Sequence, residues 1–105
     1  MPEINKKYSD SGNGKEVIFE IDESILTLTQ FNILSDSVKD ELSRGIKSFG
    51  FDFSKLSSIN SSGLGILISC LKSIKNADAS LKILNLNEKI LGIFKLTKLD
   101  KVFDL

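Results

Sequence analysis

The segment Phe51-Asp52-Phe53-Ser54-Lys55-Leu56-Ser57-Ser58-Ile59-Asn60-Ser61-Ser62-Gly63-Leu64-Gly65 limits what this chain can fold into more than any other. Its apolar start reads as a strand, its polar centre as a loop, and its Ser-Ser-Gly end as the opening of a helix. Strands that alternate with helices build a sheet with helices packed on it.

The rest of the chain continues that alternation. Residues 3–8 read as a weak first strand, and residues 9–14 are dense in turn formers. Val17, Phe19 and Ile21 alternate with Ile18, Glu20 and Asp22, the period of a second strand and a candidate hairpin partner. Residues 25–28 fit strand or loop equally. Residues 28–43 carry Phe31, Leu34, Val38 and Leu42 at helical spacing, with Thr27 or Thr29 as candidate cap and Gly45 as stop. A buried strand over 48–53 is followed by a helix from Ser62 to about residue 76. Leu64, Leu67, Ile68, Leu71 and Ile74 form its core stripe, with Ile66 and Cys70 on a flank. Residues 81–86 read as a strand. Asn87 is a candidate cap for a helix to Leu96 with Ile90, Leu91 and Phe94 inward, and 102–105 as a short last strand. The expected class is α/β, a mixed sheet flanked by helices in the order β-β-α-β-α-β-α-β.

The chain's 105 residues fit one domain, with 1–3 expected to be disordered. A hydrophobic share of 41% suits a globular core. Fourteen basic and fourteen acidic side chains balance, which argues against a nucleic-acid partner. No apolar run approaches the roughly 18–20 residues of a membrane span, and the first residues lack the pattern of a secretory signal. The single cysteine, Cys70, forms no intrachain disulfide, and the cytoplasm is the expected compartment. With no histidine, the chain cannot build a Ser-His-Asp or Cys-His nucleophile, or the usual zinc site. Gly63-Leu64-Gly65 begins a dinucleotide fingerprint, but Ile68 stands where a third glycine belongs, so close packing at a tight helix start is the better reading. Cys70, among apolar residues, reads as a core cysteine. No cofactor, metal or enzymatic activity is expected.

Ser61 and Ser62 put two hydroxyls at a helix N-terminus, where unpaired N–H groups and the helix dipole favour negative charge. A serine there is either a helix cap or a regulated phosphorylation site. The residues alone leave both open, together with an anion-binding role for the helix start.

Three stretches carry a family resemblance: residues 51–56 with Asn60-Ser61-Ser62-Gly63-Leu64-Gly65, residues 81–86, and residues 90–103. In that order and spacing the chain resembles a bacterial anti-sigma factor antagonist, a single STAS domain. The resemblance implies a partner-switching regulator of transcription. In that family the unmodified protein binds an anti-sigma factor that is also a serine kinase, which frees the sigma factor. The kinase phosphorylates the first serine of an Asp-Ser-(Ser/Thr/Ala)-Gly motif, which releases the complex, and a phosphatase resets it. By position that serine is Ser61. The implied docking face is Asn60, Ser61, Ser62, Gly63, Leu64 and Gly65, with the helix flank near Ile66 and Ser69. Asn60 stands where the family carries aspartate, and residues 22–25 replace its glycine-containing turn. The alternative is a STAS interaction or scaffold domain that works without phosphorylation.

Overall fold

The structure, a computed structural model, describes residues 4–11, 14–23 and 31–103. Its elements are β1 (Asn5–Ser11), β2 (Gly14–Glu20), α1 (Phe31–Ser43), β3 (Ser48–Asp52), α2 (Ser61–Asn76), β4 (Ser80–Leu84) and α3 (Glu88–Leu96). The strands form one sheet in the order β1-β2-β3-β4. β1 and β2 make an antiparallel hairpin, whereas β2, β3 and β4 run parallel. Parallel neighbours need a crossover, and α1 and α2 supply the two. This is the mixed α/β architecture expected from the sequence.

Register explains the core. Val17 lies opposite Phe49 and Phe49 opposite Leu81; Phe19 lies opposite Phe51 and Phe51 opposite Ile83. Paired residues share a face, so six apolar side chains cover one side of the sheet. The Phe19 ring centroid lies 6.2 Å from that of Phe49 and 5.9 Å from that of Phe51. Leu34 and Val38 of α1 and Leu67, Leu71 and Ile74 of α2 belong to the same buried cluster. Each fully buried apolar side chain contributes about 1.5–3 kcal/mol.

On the opposite face, Ile18, Gly50 and Lys82 align in register. A Cβ on Gly50 would lie 3.2 Å from Ile18 and 3.4 Å from Leu84, so the missing side chain lets those two close over the central strand. Charges on this face are paired: Lys82 with Glu16 at 2.9 Å, and Lys7 and Lys55 with Glu20 at 3.7 and 3.5 Å. The edge strand β1 is tied to α1 by the buried Glu41, which accepts from Lys6 at 3.2 Å and from the Tyr8 hydroxyl. That hydrogen bond pushes the Tyr8 phenol above its ordinary pKa.

Several boundaries differ from the sequence reading. β1 runs on to Ser11 because pairing with β2 continues through the residues expected to turn. The candidate caps Thr27 and Thr29, residues 25–28 and residues 1–3 lie outside the described residues. Gly45 does follow α1, at φ +88°. β4 stops at Leu84 because Asn85 turns left-handed, at φ +56°. The strand expected over 102–105 is not formed by its described part: Lys101–Phe103 is turn, with Phe103 buried 5.3 Å from the Phe94 ring and its N–H on the Leu99 carbonyl at 3.1 Å. Residues 104 and 105 lie outside the described residues.

Phe51→Ala removes the central ring of the sheet face and should destabilise the fold by about 3–5 kcal/mol. Urea unfolding followed by circular dichroism measures this; a loss below about 1 kcal/mol would contradict the packing described.

Candidate functional site

The loop from Phe53 to Asn60 leaves the C-terminal end of β3 and is tied down by three neighbours. From the end of β2, Glu23 accepts from the Ser57 hydroxyl at 2.5 Å. From the end of β4, Asn85 donates its side-chain amide to Asp52 at 2.9 Å, and the same Asp52 oxygen accepts from the Ser54 N–H at 2.9 Å. From the start of α3, Asn87 donates to the Leu56 carbonyl at 3.0 Å while its own oxygen caps α3 through the Ile90 N–H at 2.8 Å. Leu56 is buried beneath the loop, and its N–H closes a turn on the Phe53 carbonyl at 2.9 Å. The amide of Asn85 holds the Asp52 carboxyl below the usual carboxylate range, against a smaller opposing effect of burial.

The loop delivers Asn60 in extended conformation at the N-cap of α2. Its side-chain oxygen accepts from the Gly63 N–H at 2.8 Å, and its carbonyl accepts the first helical bond from the Leu64 N–H at 3.0 Å. Asn60 is therefore the cap, not either serine. Ser61 is the first helical residue, and among the described residues no hydrogen bond holds its hydroxyl. The first turn of α2 contains no acidic residue, so its N–H groups face no charge from their own helix.

The residues proposed from sequence divide by burial. Asn60, Ser61, Gly65 and Ser69 are exposed, and the last three, spaced by four, form one line along α2. Ser62 is half-buried. Gly63, Leu64 and Ile66 are buried, Ile66 at 7% exposure, so the expectation that Ile66 offers an exposed flank is corrected. The reason is that α2 packs against both the sheet and α1, which widens its buried arc beyond a single stripe. Cys70 is core, as its apolar surroundings imply, whereas Ile68, expected in the core stripe, is only half-buried. Burial pushes the Cys70 thiol up to about 12, the state of an unreactive cysteine. Among the described residues no group of three or more acidic or cysteine side chains is placed to hold a metal, and no helix is long and apolar enough to cross a membrane.

Sequence reasoning missed Glu23, Asn85 and the second bond of Asn87. Nothing in their local pattern signals a bond to a loop some thirty residues away in the chain. The cap at Asn60 was available, since asparagine ranks with serine at that position.

A family model for the STAS domain matches residues 6–105. Among solved structures, the Thermotoga maritima protein TM1081, a candidate anti-sigma factor antagonist, is 25% identical in its crystal structure, with a TM-score of 0.70 over 92% of this chain and 81% of that one. The solution structure of TM1081 gives 27% identity and a TM-score of 0.76 over 90% and 74%. The Bacillus cell-fate determinant SpoIIAA in its phosphorylated form has the same fold at 15% identity, with a TM-score of 0.61 over 92% and 86%. No curated protein sequence matches the chain.

Asn60→Ala should cost about 0.5–2 kcal/mol through loss of the cap, whereas Asn60→Asp should match or exceed the native stability by about 0.3–1 kcal/mol through the dipole. Urea midpoints of the three proteins test this; equal midpoints for Ala and Asn would remove Asn60 as the cap. Asp52 carries a pH signature. Its folded pKa is depressed, so its contribution is present above the unfolded carboxylate pKa and lost as pH falls through the folded value. The stability gap between the native protein and Asp52→Asn should therefore shrink as pH is lowered through the acid range. A gap that does not change with pH would show that the ionised carboxylate does not hold Asn85.

Proposed function

The chain belongs to the STAS-domain family, and from that membership we propose that it is an anti-sigma factor antagonist that works by partner switching. Unmodified, it binds an anti-sigma factor that is also a serine kinase. Phosphorylation of Ser61 ends the complex, and a phosphatase restores it. The protein thereby controls sigma factor activity in the cytoplasm. It takes no catalytic part, because the kinase brings the nucleotide and the phosphoryl chemistry.

The observation that carries this reading is the position of Ser61. It is exposed, first in α2, and relieved of capping by Asn60. A phosphate there adds about −1.5 to −2 charges beside unpaired N–H groups. The helix accepts that charge with about 0.3–1 kcal/mol of dipole stabilisation. A partner packed along Asn60, Ser61, Gly65 and Ser69 meets new bulk and charge at its centre, so the modification acts on the complex and spares the fold. Support from relatives is the likeness to TM1081 and to SpoIIAA, of which an unphosphorylated and a phosphorylated form are both known.

A second reading, a STAS interaction or scaffold domain that ignores phosphorylation, is favoured by the amide at Asn60, which supplies the cap without a carboxylate for a kinase to recognise. The two part in one experiment. In pull-downs against the kinase-type anti-sigma factor of the source cell, Ser61→Asp should weaken binding by about tenfold or more, and Ser61→Ala should bind as the native protein does. Equal binding by both variants would remove the switch and leave the scaffold reading.

A further inference from the structure

A pocket of about 280 Å³ is lined by Tyr8, Lys15, Glu41, Arg44 and Ile46. β2 and β3 run parallel, so Lys15 at the start of β2 lies at the end of the sheet opposite the loop that leads to Ser61. Tyr8 pairs with Val17 across the hairpin and Lys15 precedes Val17 by two, which puts both on the helix-covered face. The last turn of α1 and the residues just after it bring Glu41, Arg44 and Ile46 to the same place. The Tyr8 ring, 52% exposed, and the buried Ile46 supply apolar surface. The volume lies near the lower bound of about 300 Å³ for small-molecule sites, the scale of one small metabolite.

Charge of both signs converges there. Glu41 is 1% exposed, and its two hydrogen bonds, from Lys6 Nζ at 3.2 Å and from the Tyr8 hydroxyl, both end on Oε2. Among the described residues nothing donates to Oε1, an oxygen able to accept as well. No carboxylate among the described residues pairs with Lys15: the cations in the ion pairs are Lys6, Lys7, Arg44, Lys55 and Lys82. Arg44 commits only Nη2, to Asp40 at 3.3 Å, which leaves the other donors of its fork. A simple carboxylate entering this pocket would meet Glu41, and a simple amine would meet Lys15 and Arg44. A zwitterion satisfies both. We infer that the pocket binds a free α-amino acid with a large apolar side chain, its ammonium on Glu41 Oε1, its carboxylate between Lys15 and Arg44, and its side chain on Tyr8 and Ile46. The pocket shares no residue with the Ser61 face, so the inference stands apart from partner switching.

The test is a nuclear magnetic resonance titration of the full chain with L-phenylalanine and with L-leucine. Hydrocinnamate, which lacks the ammonium, and phenethylamine, which lacks the carboxylate, are the controls. At least one amino acid should shift the Tyr8, Lys15, Glu41 and Arg44 amides saturably, and both controls should bind about tenfold more weakly or worse. The controls probe Glu41 without mutating it, since its loss would also free Lys6 and Tyr8. Lys15→Gln and Arg44→Gln change exposed side chains, so their spectra should stay native while the amino-acid titration weakens by about tenfold. Silence of these amides toward both amino acids would overturn the inference. So would hydrocinnamate binding as tightly as phenylalanine, which would leave a carboxylate site only, or titrations of the two variants equal to the native one.

Discussion

Burial of β3 on both of its faces is the constraint on which the rest of the molecule depends. Phe49 and Phe51 need a cover on one side, and the sheet finds it in α1 and α2. Gly50 on the other side lets Ile18 and Leu84 close over the strand. A parallel strand in that central position requires the chain to leave at its C-terminal end and cross over before it can return. The loop and the start of α2 therefore have to lie at that end of the sheet. This is also where open α/β sheets commonly place their functional residues.

A loop emerging from such a core needs its polar backbone satisfied. Here Asn87 satisfies the Leu56 carbonyl and Asp52 the Ser54 N–H, while Glu23 and Asn85 hold the side chains of Ser57 and Asp52, and Leu56 anchors the loop in the core. The loop's geometry is thus tied to the sheet and to α3. A partner docking there would meet a surface that is already arranged, which lowers the ordering cost of association. In the first half of α2 the exposed residues form a narrow line, Ser61, Gly65 and Ser69, because the helix packs on the sheet and α1; Lys72, Lys75 and Asn76 are exposed toward its end.

Element type was legible wherever hydrophobic periodicity was strong. The alternation in β2 and the stripes of α1 and α2 are local signals of burial, and they led to the mixed sheet. What periodicity could not show was how many sides of a helix are covered. Periodicity marks one stripe on α2, and the apolar surroundings of Cys70 place it in the core, but the structure buries Ile66 as well, because packing on α1 is a tertiary fact. The end of the chain misled for a related reason. Residues 102–105 have an apolar, strand-like composition, yet Phe103 satisfies its burial by meeting Phe94 from a turn. At the site, the position of Ser61 at the helix start was readable from its neighbours, and its exposure was not. The bonds from Glu23 and Asn85 span more than thirty residues and leave no mark in a local window.

The separation of cap from hydroxyl at the start of α2 decides how a modification there would act. Were Ser61 the cap, its oxygen would be accepting a backbone N–H, and any change to that oxygen would trade against a bond worth about 1 kcal/mol to the helix. Asn60 carries that bond with an uncharged amide oxygen that no kinase modifies. The Ser61 hydroxyl is then free to change chemically while the helix keeps its start. Charge added one residue past the cap lies within the first turn, where the dipole favours it. The free energy of the modification therefore falls on whatever is docked against the exposed line of α2, which is the asymmetry a reversible association switch requires.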